Sequence, residues 1–282
     1  MKRRVVIIMG FVLLLVLALH FYIKISEQNP QFSVTFFNIG QGDSALIKFN
    51  NGQKMLVDCG PDRKILAKLG SALPFYDRKI DYLLVTHPDL DHYGGCVDVL
   101  NQYAVQEIIT NSSTKETDPY WKIWDAKEKQ ESAEIKIITN TQEWFIGSST
   151  LYFLNPDNSL NLTAKDTEGN NASIVFKLTN AGESFLFTGD MEMPLEEALE
   201  QKYCSTTLPA CPALKADVLK VGHHGSDSSS GEDFLRYVSP KEAVVSVGKN
   251  TFGHPSFRVL KKLQRIGAGI LRTDELGDII KQ

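Results

Sequence analysis

The hydrophobic and polar positions of the chain alternate between short apolar runs, which predict strands, and amphipathic stretches, which predict helices. The first three predicted strands are FSVTFFNIG, DSALIKF and KMLVDCG. Asn50 to Gly52 supply a turn that joins the second and third as a hairpin. A helix is expected in RKILAKLGSAL, a buried strand in IDYLLVTH, and a second helix in YGGCVDVLNQYA, just after a short polar loop.

The second half of the chain repeats this alternation. The stretch ASIVFKLTNAGESFLFTGD predicts a hairpin, PLEEALEQKY a helix and ADVLKVG an apolar strand. Polar positions predominate between Thr110 and Glu143, which predicts a surface region with one amphipathic helix, DPYWKIWDAKEKQ, whose Trp121 and Trp124 serve packing. No linker rich in Pro or Ser interrupts this pattern. We therefore predict one α/β domain over residues 31–282, with helices on the outer faces of paired strands.

The N-terminal segment has a different pattern. An uncharged run from Val5 to Ile23 follows the basic residues of MKRR, and its length is close to the roughly 20 residues that span a bilayer as a helix. The preceding positive charges favour a cytoplasmic N-terminus and an extracytoplasmic domain. We predict that residues 1–30 form a single-pass membrane anchor. The alternative is a cleaved signal segment, which would leave the domain secreted.

Composition narrows the class of protein only a little. Of 282 residues, 43% are hydrophobic and 23% charged, which is typical of a globular domain. The formal net charge of -4 provides no basic tail, so any contact with nucleic acid would be local. In an exported domain Cys204 and Cys211 could close a small disulfide loop, whereas Cys59 and Cys96 are expected to be buried free thiols.

Three predicted strands end in residue types that bind metals, in LLVTHPDLDH, FLFTGD and VLKVGHH. Loops at the carboxyl ends of strands are where α/β folds gather reactive groups. In the first loop, His87, Asp89, Asp91 and His92 are so close in sequence that the two carboxylates would repel each other in a shared site, and a divalent cation removes this conflict. If the loop is extended, positions 87, 89 and 91 face one side. The loop lacks the spacing of an EF-hand.

Seven ordered stretches carry a resemblance to a known family: NIGQGDSALI, DCG, THPDLDHYGG, GNNASIVFKL, FLFTGDME, VLKVGHHGS and VSVGKNTFGHPS. They resemble the metallo-β-lactamase-fold hydrolases, whose signature is H-x-H-x-D-H followed by single His, Asp and His ligands. More specifically, they are similar to the extracytoplasmic hydrolase domain of ComEC-type competence proteins. The resemblance implies an αββα four-layer sandwich, here preceded by the predicted transmembrane helix.

The resemblance also implies two divalent cations, Zn²⁺ or Mn²⁺, and a set of site residues. The implied metal ligands are His87, Asp89, Asp91, His92, Asp190 and His224. The implied catalytic residues are Asp91, His223, His254 and Asp43. Asp190 would bridge the cations, and His223 would face the substrate, although the roles of His223 and His224 can be exchanged. Asp58 is expected to orient a ligand or cap a turn.

Two positions depart from the family signature. Asp89 stands where the second His belongs, and the region of Asn170, Asn171 and Ser173 takes the place of a later His. One cation site is thereby richer in oxygen, which shifts its preference from zinc towards a harder ion such as manganese. Ser226 and Ser228 to Ser230 are expected to be solvated loop residues rather than nucleophiles.

By resemblance, the expected function is metal-dependent hydrolysis of a phosphodiester, with DNA outside the cytoplasmic membrane as the first candidate substrate. One alternative is an esterase for small phosphodiesters such as choline-phosphate. Another is a metal-binding or DNA-binding module without turnover. No protein partner can be inferred.

Overall fold

The computed structural model describes residues 7–18, 30–204 and 211–282 of the chain. Residues 7–18 form a helix, α1, with exposed side chains. Among the described residues, no helix combines the length and apolar character needed to cross a membrane. The other positions of the predicted span, 5–6 and 19–23, lie outside the described ranges, so the membrane anchor or signal segment stays a prediction.

Two seven-stranded sheets form the centre of the described part of the chain. In spatial order the strands of the first sheet are β14 (Ile279–Lys281), β1 (Ser33–Phe36), β2 (Ala45–Lys48), β3 (Lys54–Val57), β4 (Lys79–Leu84), β5 (Ala104–Thr110) and β6 (Glu134–Ile137). Neighbouring strands are antiparallel from β14 to β3 and parallel from β3 to β6. The predicted hairpin between β2 and β3 is confirmed.

In spatial order the strands of the second sheet are β13 (Gly269–Arg272), β12 (Glu242–Val245), β11 (Val218–Lys220), β10 (Glu183–Phe187), β9 (Val175–Asn180), β8 (Ser149–Asn155) and β7 (Gln142–Ile146). Neighbouring strands are antiparallel from β7 to β10 and parallel from β10 to β13. The predicted hairpin of β9 and β10 is confirmed.

Helices cover the outer face of each sheet, which gives the predicted four layers. The two sheets pack on each other through an aromatic core in which Phe187 stacks on Phe36 and Phe176, with ring centroids 5.6 and 4.7 Å apart. The first sheet is covered by α2 (Lys64–Ala72), α4 (Cys96–Gln102) and α5 (Pro119–Gln130). The second is covered by α6 (Met193–Tyr203), α7 (Glu232–Val238) and α8 (Phe257–Arg265). Two short helices lie in loops, α3 (Leu90–Tyr93) and α9 (Thr273–Leu276).

The predicted polar surface region contains more regular structure than expected. Helix α5 forms as predicted, because Pro119 begins it and the Asp118 side chain accepts a hydrogen bond from the backbone N–H of Tyr120. Trp121 and Trp124 are buried against Tyr93, as expected for packing residues. Strands β6 and β7 were not predicted. Both are edge strands with several exposed positions, so their hydrophobic pattern is weak.

All four cysteines form disulfides. Cys204 pairs with Cys211, as the sequence allowed. Cys59 pairs with Cys96, so the expectation of two free thiols is wrong. The reason is tertiary: β3 and β4 are parallel neighbours, and the loop after β3 therefore meets the start of α4, with Cα atoms 5.2 Å apart. A Cβ at Gly95 would come within 2.5 Å of Cys59 O, so glycine is required for this approach.

Candidate metal centre

Four of the predicted ligands converge where the carboxyl ends of the two sheets meet. Asp91 and His92 follow β4, Asp190 follows β10, and His224 follows β11. One ligand atom from each of the four lies within 4.8 Å of the other three. His92 Nε2 lies 3.2 Å from Asp190 Oδ1, and His224 Nε2 lies 3.2 Å from Asp91 Oδ2. Side chains from three distant parts of the chain are thus arranged as one divalent cation would require.

The loop after β4 is not extended throughout, so the expectation that positions 87, 89 and 91 face one side is wrong. Because α3 begins at Leu90, Asp91 lies in a helical turn, while Asp89 precedes that turn in an extended conformation. The Asp89 carboxylate accepts a hydrogen bond of 2.6 Å from Lys115 Nζ and lies 3.8 Å from His87 Nε2. His87 and Asp89 therefore lie beside the four-residue cluster rather than within it.

The two clustered histidines are oriented by bonds on their outer nitrogens. His92 Nδ1 lies 2.8 Å from Asp58 Oδ2, and His224 Nδ1 lies 2.8 Å from the backbone oxygen of Ser246. Both acceptors require a proton on Nδ1, so Nε2, which is directed at Asp190, is the nitrogen left to bind a cation or a second proton. Among the described residues, both Nε2 atoms, together with Asp190 Oδ1, are buried without a hydrogen-bond partner.

Asp58 orients the candidate ligand His92, as predicted from the sequence. Besides His92, its carboxylate accepts hydrogen bonds of 2.8 Å from both the backbone N–H and the hydroxyl of Thr86. Its left-handed backbone, with φ of 57°, is a conformation that non-glycine residues rarely adopt. Such strain persists only where the surroundings impose it, and here it aims the carboxylate at His92.

We expect Asp58→Asn to lower the affinity for Mn²⁺ by about 10- to 100-fold, the usual effect of removing a group that orients a histidine ligand. An amide nitrogen facing Nδ1 would favour the wrong tautomer of His92. Isothermal titration of Mn²⁺ into the variant measures the change. Asp62→Asn, which alters an exposed carboxylate of the same loop, is the matched control. Equal affinity for Mn²⁺ in the two variants would contradict the orienting role.

In the cluster, buried carboxylates and imidazoles stabilise each other's charged forms. Burial would raise the pKa of Asp190, but His224 and His92 hold it well below its ordinary value. Conversely, burial would lower the pKa of both histidines, but Asp190 and the neighbouring carboxylates hold it well above. Burial lowers the pKa of His87 to about 4, so this ring is neutral at pH 7, the form that binds metals.

Lys220 is a buried cation beneath the cluster. Its side chain, at the end of β11, makes an ion pair with Asp43 Oδ2, lies 3.9 Å from Asp190 Oδ1 and donates a hydrogen bond of 3.1 Å to Gly189 O. Burial would raise the pKa of Asp43, but Lys220 and His224 hold it below its ordinary value. Asp43 is therefore a buried carboxylate held between Lys220 and His224 Nδ1, 3.3 Å away.

The residues present fit a divalent cation. The cluster offers two imidazole nitrogens and two carboxylates, a donor set that zinc, manganese and other divalent ions accept. Its unpartnered nitrogen and oxygen atoms are buried, which costs free energy unless a cation or a proton satisfies them. A cation in this position would replace protons on the two imidazoles and balance the carboxylates.

His223 and His254 lie at the mouth of the site. His223 Nε2 lies 3.9 Å from Asp190 Oδ2, and its Nδ1 lies 3.1 Å from Glu192 Oε1. The His254 ring is 5.2 Å from that of His223 and 6.5 Å from that of His224, and it is partly exposed. Both mouth residues are thus placed to meet a ligand, and His223 and His224 share a left-handed backbone, with φ of 47° and 51°.

The region of Asn170, Asn171 and Ser173 does reach the centre, where it supplies hydrogen bonds. Asn170 Nδ2 donates to Glu192 Oε1 at 3.2 Å, and Asn171 Oδ1 accepts from the backbone N–H of Glu192 at 2.9 Å. Ser173 Oγ accepts from the backbone N–H of Asp190 at 2.9 Å and lies 3.4 Å from His87 Nδ1. These hydrogen bonds fix the loop of residues 170–173 against the loop that carries Asp190 and Glu192.

The expectation of a solvated serine loop is wrong for three residues. Ser226, Ser229 and Ser230 are buried, and Ser229 Oγ donates to Gly222 O at 2.8 Å, which ties the loop to the backbone before the two histidines. Glu192 and Lys115 are not among the predicted site residues, because their partners come from other loops. The signal for Lys220 was present, because a lysine inside the apolar stretch ADVLKVG must find a buried partner.

Two sheets covered by helices, with His and Asp ligands at their carboxyl ends, define the class of protein. The sequence profile of the "Metallo-beta-lactamase superfamily" matches residues 38–249, and the chain belongs to this superfamily. Among solved structures, the fold is similar to the short form of human tRNase Z, with a TM-score of 0.52 and 14% identity over 88% of this chain and 98% of that one. A diphosphatase of the PhnP family superposes with a TM-score of 0.52 and 12% identity, covering 89% of this chain and 98% of the other.

Curated relatives narrow the resemblance. The chain is 30% identical over 264 residues to "ComE operon protein 3" of Bacillus subtilis (strain 168), covering 87% of this chain and 32% of the relative. It is 30% identical over 250 residues to "Competence protein ComA" of Neisseria gonorrhoeae, covering 87% and 31%. "Recombination protein 2" of Haemophilus influenzae is 29% identical, covering 89% and 29%. The predicted similarity to ComEC-type competence proteins is confirmed, and the chain spans about a third of the length of these relatives.

Proposed function

We propose that this chain hydrolyses phosphodiester bonds of DNA outside the cytoplasmic membrane, with two divalent cations, Zn²⁺ or Mn²⁺, as cofactors. The observation that carries the proposal is the four-residue cluster, whose buried donor atoms need a cation. Asp91, His92, Asp190 and His224 would hold one ion. His87 would hold the other with Asp89 and Asp190, because its Nε2 is buried without a hydrogen-bond partner among the described residues.

The cations would supply a hydroxide nucleophile at neutral pH and neutralise the phosphate oxygens. The chain's own residues would position the substrate and move the proton. Hydrogen bonds from His223, and from Ser228 and Asn170, hold the pKa of Glu192 at about 2 despite its partial burial, so Glu192 is a carboxylate at neutral pH. It therefore favours a proton on His223 Nδ1 and supports proton donation from Nε2 to the leaving group. His254 would donate a hydrogen bond to a phosphate oxygen.

Three further observations support DNA and an extracytoplasmic location. The relatives named for competence and recombination suggest DNA handling. Both disulfides, Cys59–Cys96 and Cys204–Cys211, are of the kind that persist in oxidising compartments outside the cytoplasm. The basic residues before the apolar N-terminal run favour the same orientation.

The purified full chain is expected to cleave single-stranded DNA in the presence of Mn²⁺. Excess chelator should abolish cleavage, and added Mn²⁺ should restore it, because the proposed nucleophile depends on the cation. Gel electrophoresis of end-labelled oligonucleotides measures the reaction, with bis-p-nitrophenyl phosphate and glycerophosphocholine as small substrates.

The outcome of this experiment distinguishes the three functions expected from the sequence. Cleavage of the small substrates alone would favour an esterase. Binding of Mn²⁺ or DNA without turnover of any substrate would favour a binding module. Cleavage of DNA that persists in chelator would refute the metal-dependent mechanism.

A further inference from the structure

An exposed aromatic side chain stands at the mouth of the metal centre. Phe252 is 73% exposed, and its ring centroid lies 5.8 Å from that of His254, with 33° between the ring planes. The His254 ring lies in turn 6.5 Å from that of His224, at 28°. Three rings, each tilted by about 30° to the next, therefore lead from the cation ligands to the surface.

The loop that carries Phe252 is held in place by one side chain. Asn250 Oδ1 accepts hydrogen bonds of 3.0 to 3.1 Å from the backbone N–H groups of Phe252, Gly253 and His254. Asn250 Nδ2 donates to the backbone oxygens of Gly248 and His254 at 2.9 and 2.8 Å. Five hydrogen bonds within one short loop fix the backbone on both sides of the exposed ring.

Both ends of this loop are packed against the loops that carry site residues. A Cβ at Gly248 would collide with the backbone of Gly40, three residues before Asp43. At the other end, the backbone N–H of Ser256 donates to the oxygen of Gly225, next to His224, at 2.8 Å. A ligand group that contacts Phe252 is therefore held at a fixed distance from the metal centre.

The surroundings of Phe252 favour a nucleobase over a quaternary ammonium group. Choline-type groups are bound inside cages of several aromatic rings, whereas Phe252 presents one open face. Lys249, which is exposed and makes no ion pair or hydrogen bond with the described residues, would repel a cation and attract a phosphate. An exposed aromatic ring and an exposed lysine three positions before it in the same loop are the residue types that single-stranded nucleic acid sites use to stack a base and hold its backbone.

We propose that Phe252 determines specificity by stacking on the nucleobase next to the scissile phosphate, so that the site prefers unpaired nucleotides to base-free phosphodiesters. This inference rests on the proposed function. A base paired in a duplex cannot present its face to Phe252 without unstacking, so single-stranded DNA is preferred to duplex.

The test compares two single strands of equal length, one normal oligonucleotide and one made only of abasic nucleotides. Base stacking is worth about 1 to 3 kcal/mol, so Phe252→Ala should weaken binding of the normal strand by roughly 5- to 150-fold and leave the abasic strand unaffected. Fluorescence anisotropy in the presence of Mn²⁺ measures binding, and initial rates measure cleavage. Phe252→Trp should retain the affinity of the wild type.

The matched control is Phe145→Ala. Phe145 is also 73% exposed but lies on β7, the outermost strand of the second sheet, away from the ligand-bearing loops. Equal losses on both strands, or no loss on the normal strand, would overturn the stacking role. If the wild type binds the strands but cleaves neither, the proposed hydrolysis fails, while the difference in binding between Phe252→Ala and Phe145→Ala still decides the role of Phe252.

Discussion

Asp190→Ala abolishes hydrolysis, with kcat/KM reduced by about a thousandfold or more. Asp190 is the only residue of the cluster that lies within 4 Å of His92, His223, His224 and Lys220, and it would contact both cations. Losing it removes several kcal/mol of charge stabilisation in the transition state. Initial rates on single-stranded DNA at saturating Mn²⁺ measure the loss.

The fold is expected to survive this change, because Asp91, Asp43 and Asp58 still balance the neighbouring positive groups. Far-ultraviolet circular dichroism checks this, and Asp190→Asn, which keeps the volume of the side chain, serves as a second variant. Asp233→Asn, at an exposed carboxylate on α7, is the control with unchanged activity. Activity of the folded Asp190→Ala variant within tenfold of the wild type would exclude this cluster as the reaction centre.

Lys220→Met destabilises the protein by about 3 to 5 kcal/mol in the absence of divalent cations, the usual cost of removing one partner of a buried ion pair. Lys220 is only 4% exposed. Its removal takes away the positive charge that is paired with Asp43 and that lies near Asp190, so both buried carboxylates lose compensation. Urea denaturation gives the free energy of unfolding. Added Mn²⁺ should reduce the difference, because a bound cation would supply positive charge near Asp190.

The double variant Lys220→Met/Asp43→Asn separates charge from packing. If the loss is electrostatic, neutralising Asp43 recovers part of it, so the two changes are not additive. Lys241→Met alters an exposed lysine paired with Asp217 and should change the free energy of unfolding very little, because water and salt screen an exposed ion pair. A loss at Lys220 no larger than at Lys241, or strict additivity in the double variant, would show that Lys220 does not compensate the buried carboxylates.

Most strands and helices could be predicted from the sequence, because the period of the hydrophobic positions is a local property. The hairpins of β2 with β3 and of β9 with β10 appear where the turn residues indicated them. Edge strands β6 and β7 were missed. Strand β6 has exposed positions on both faces, and β7 carries the apolar Phe145 on its exposed face, so the sequence of neither strand shows a clear alternation. The helical turn α3 was missed for a related reason, because one turn is too short to show a pattern.

For the site, the sequence by itself determined which residue types end three apolar strands, and the meeting of strand ends in a layered α/β fold made their convergence foreseeable. Only the tertiary structure decided how the charges are shared. Asp89 is directed to Lys115 from the loop after β5, Lys220 is paired with Asp43 from the loop after β1, and Cys59 is joined to Cys96. The physical reason is that a buried charge or thiol takes its partner from neighbours in space, and the order of strands within each sheet sets those neighbours.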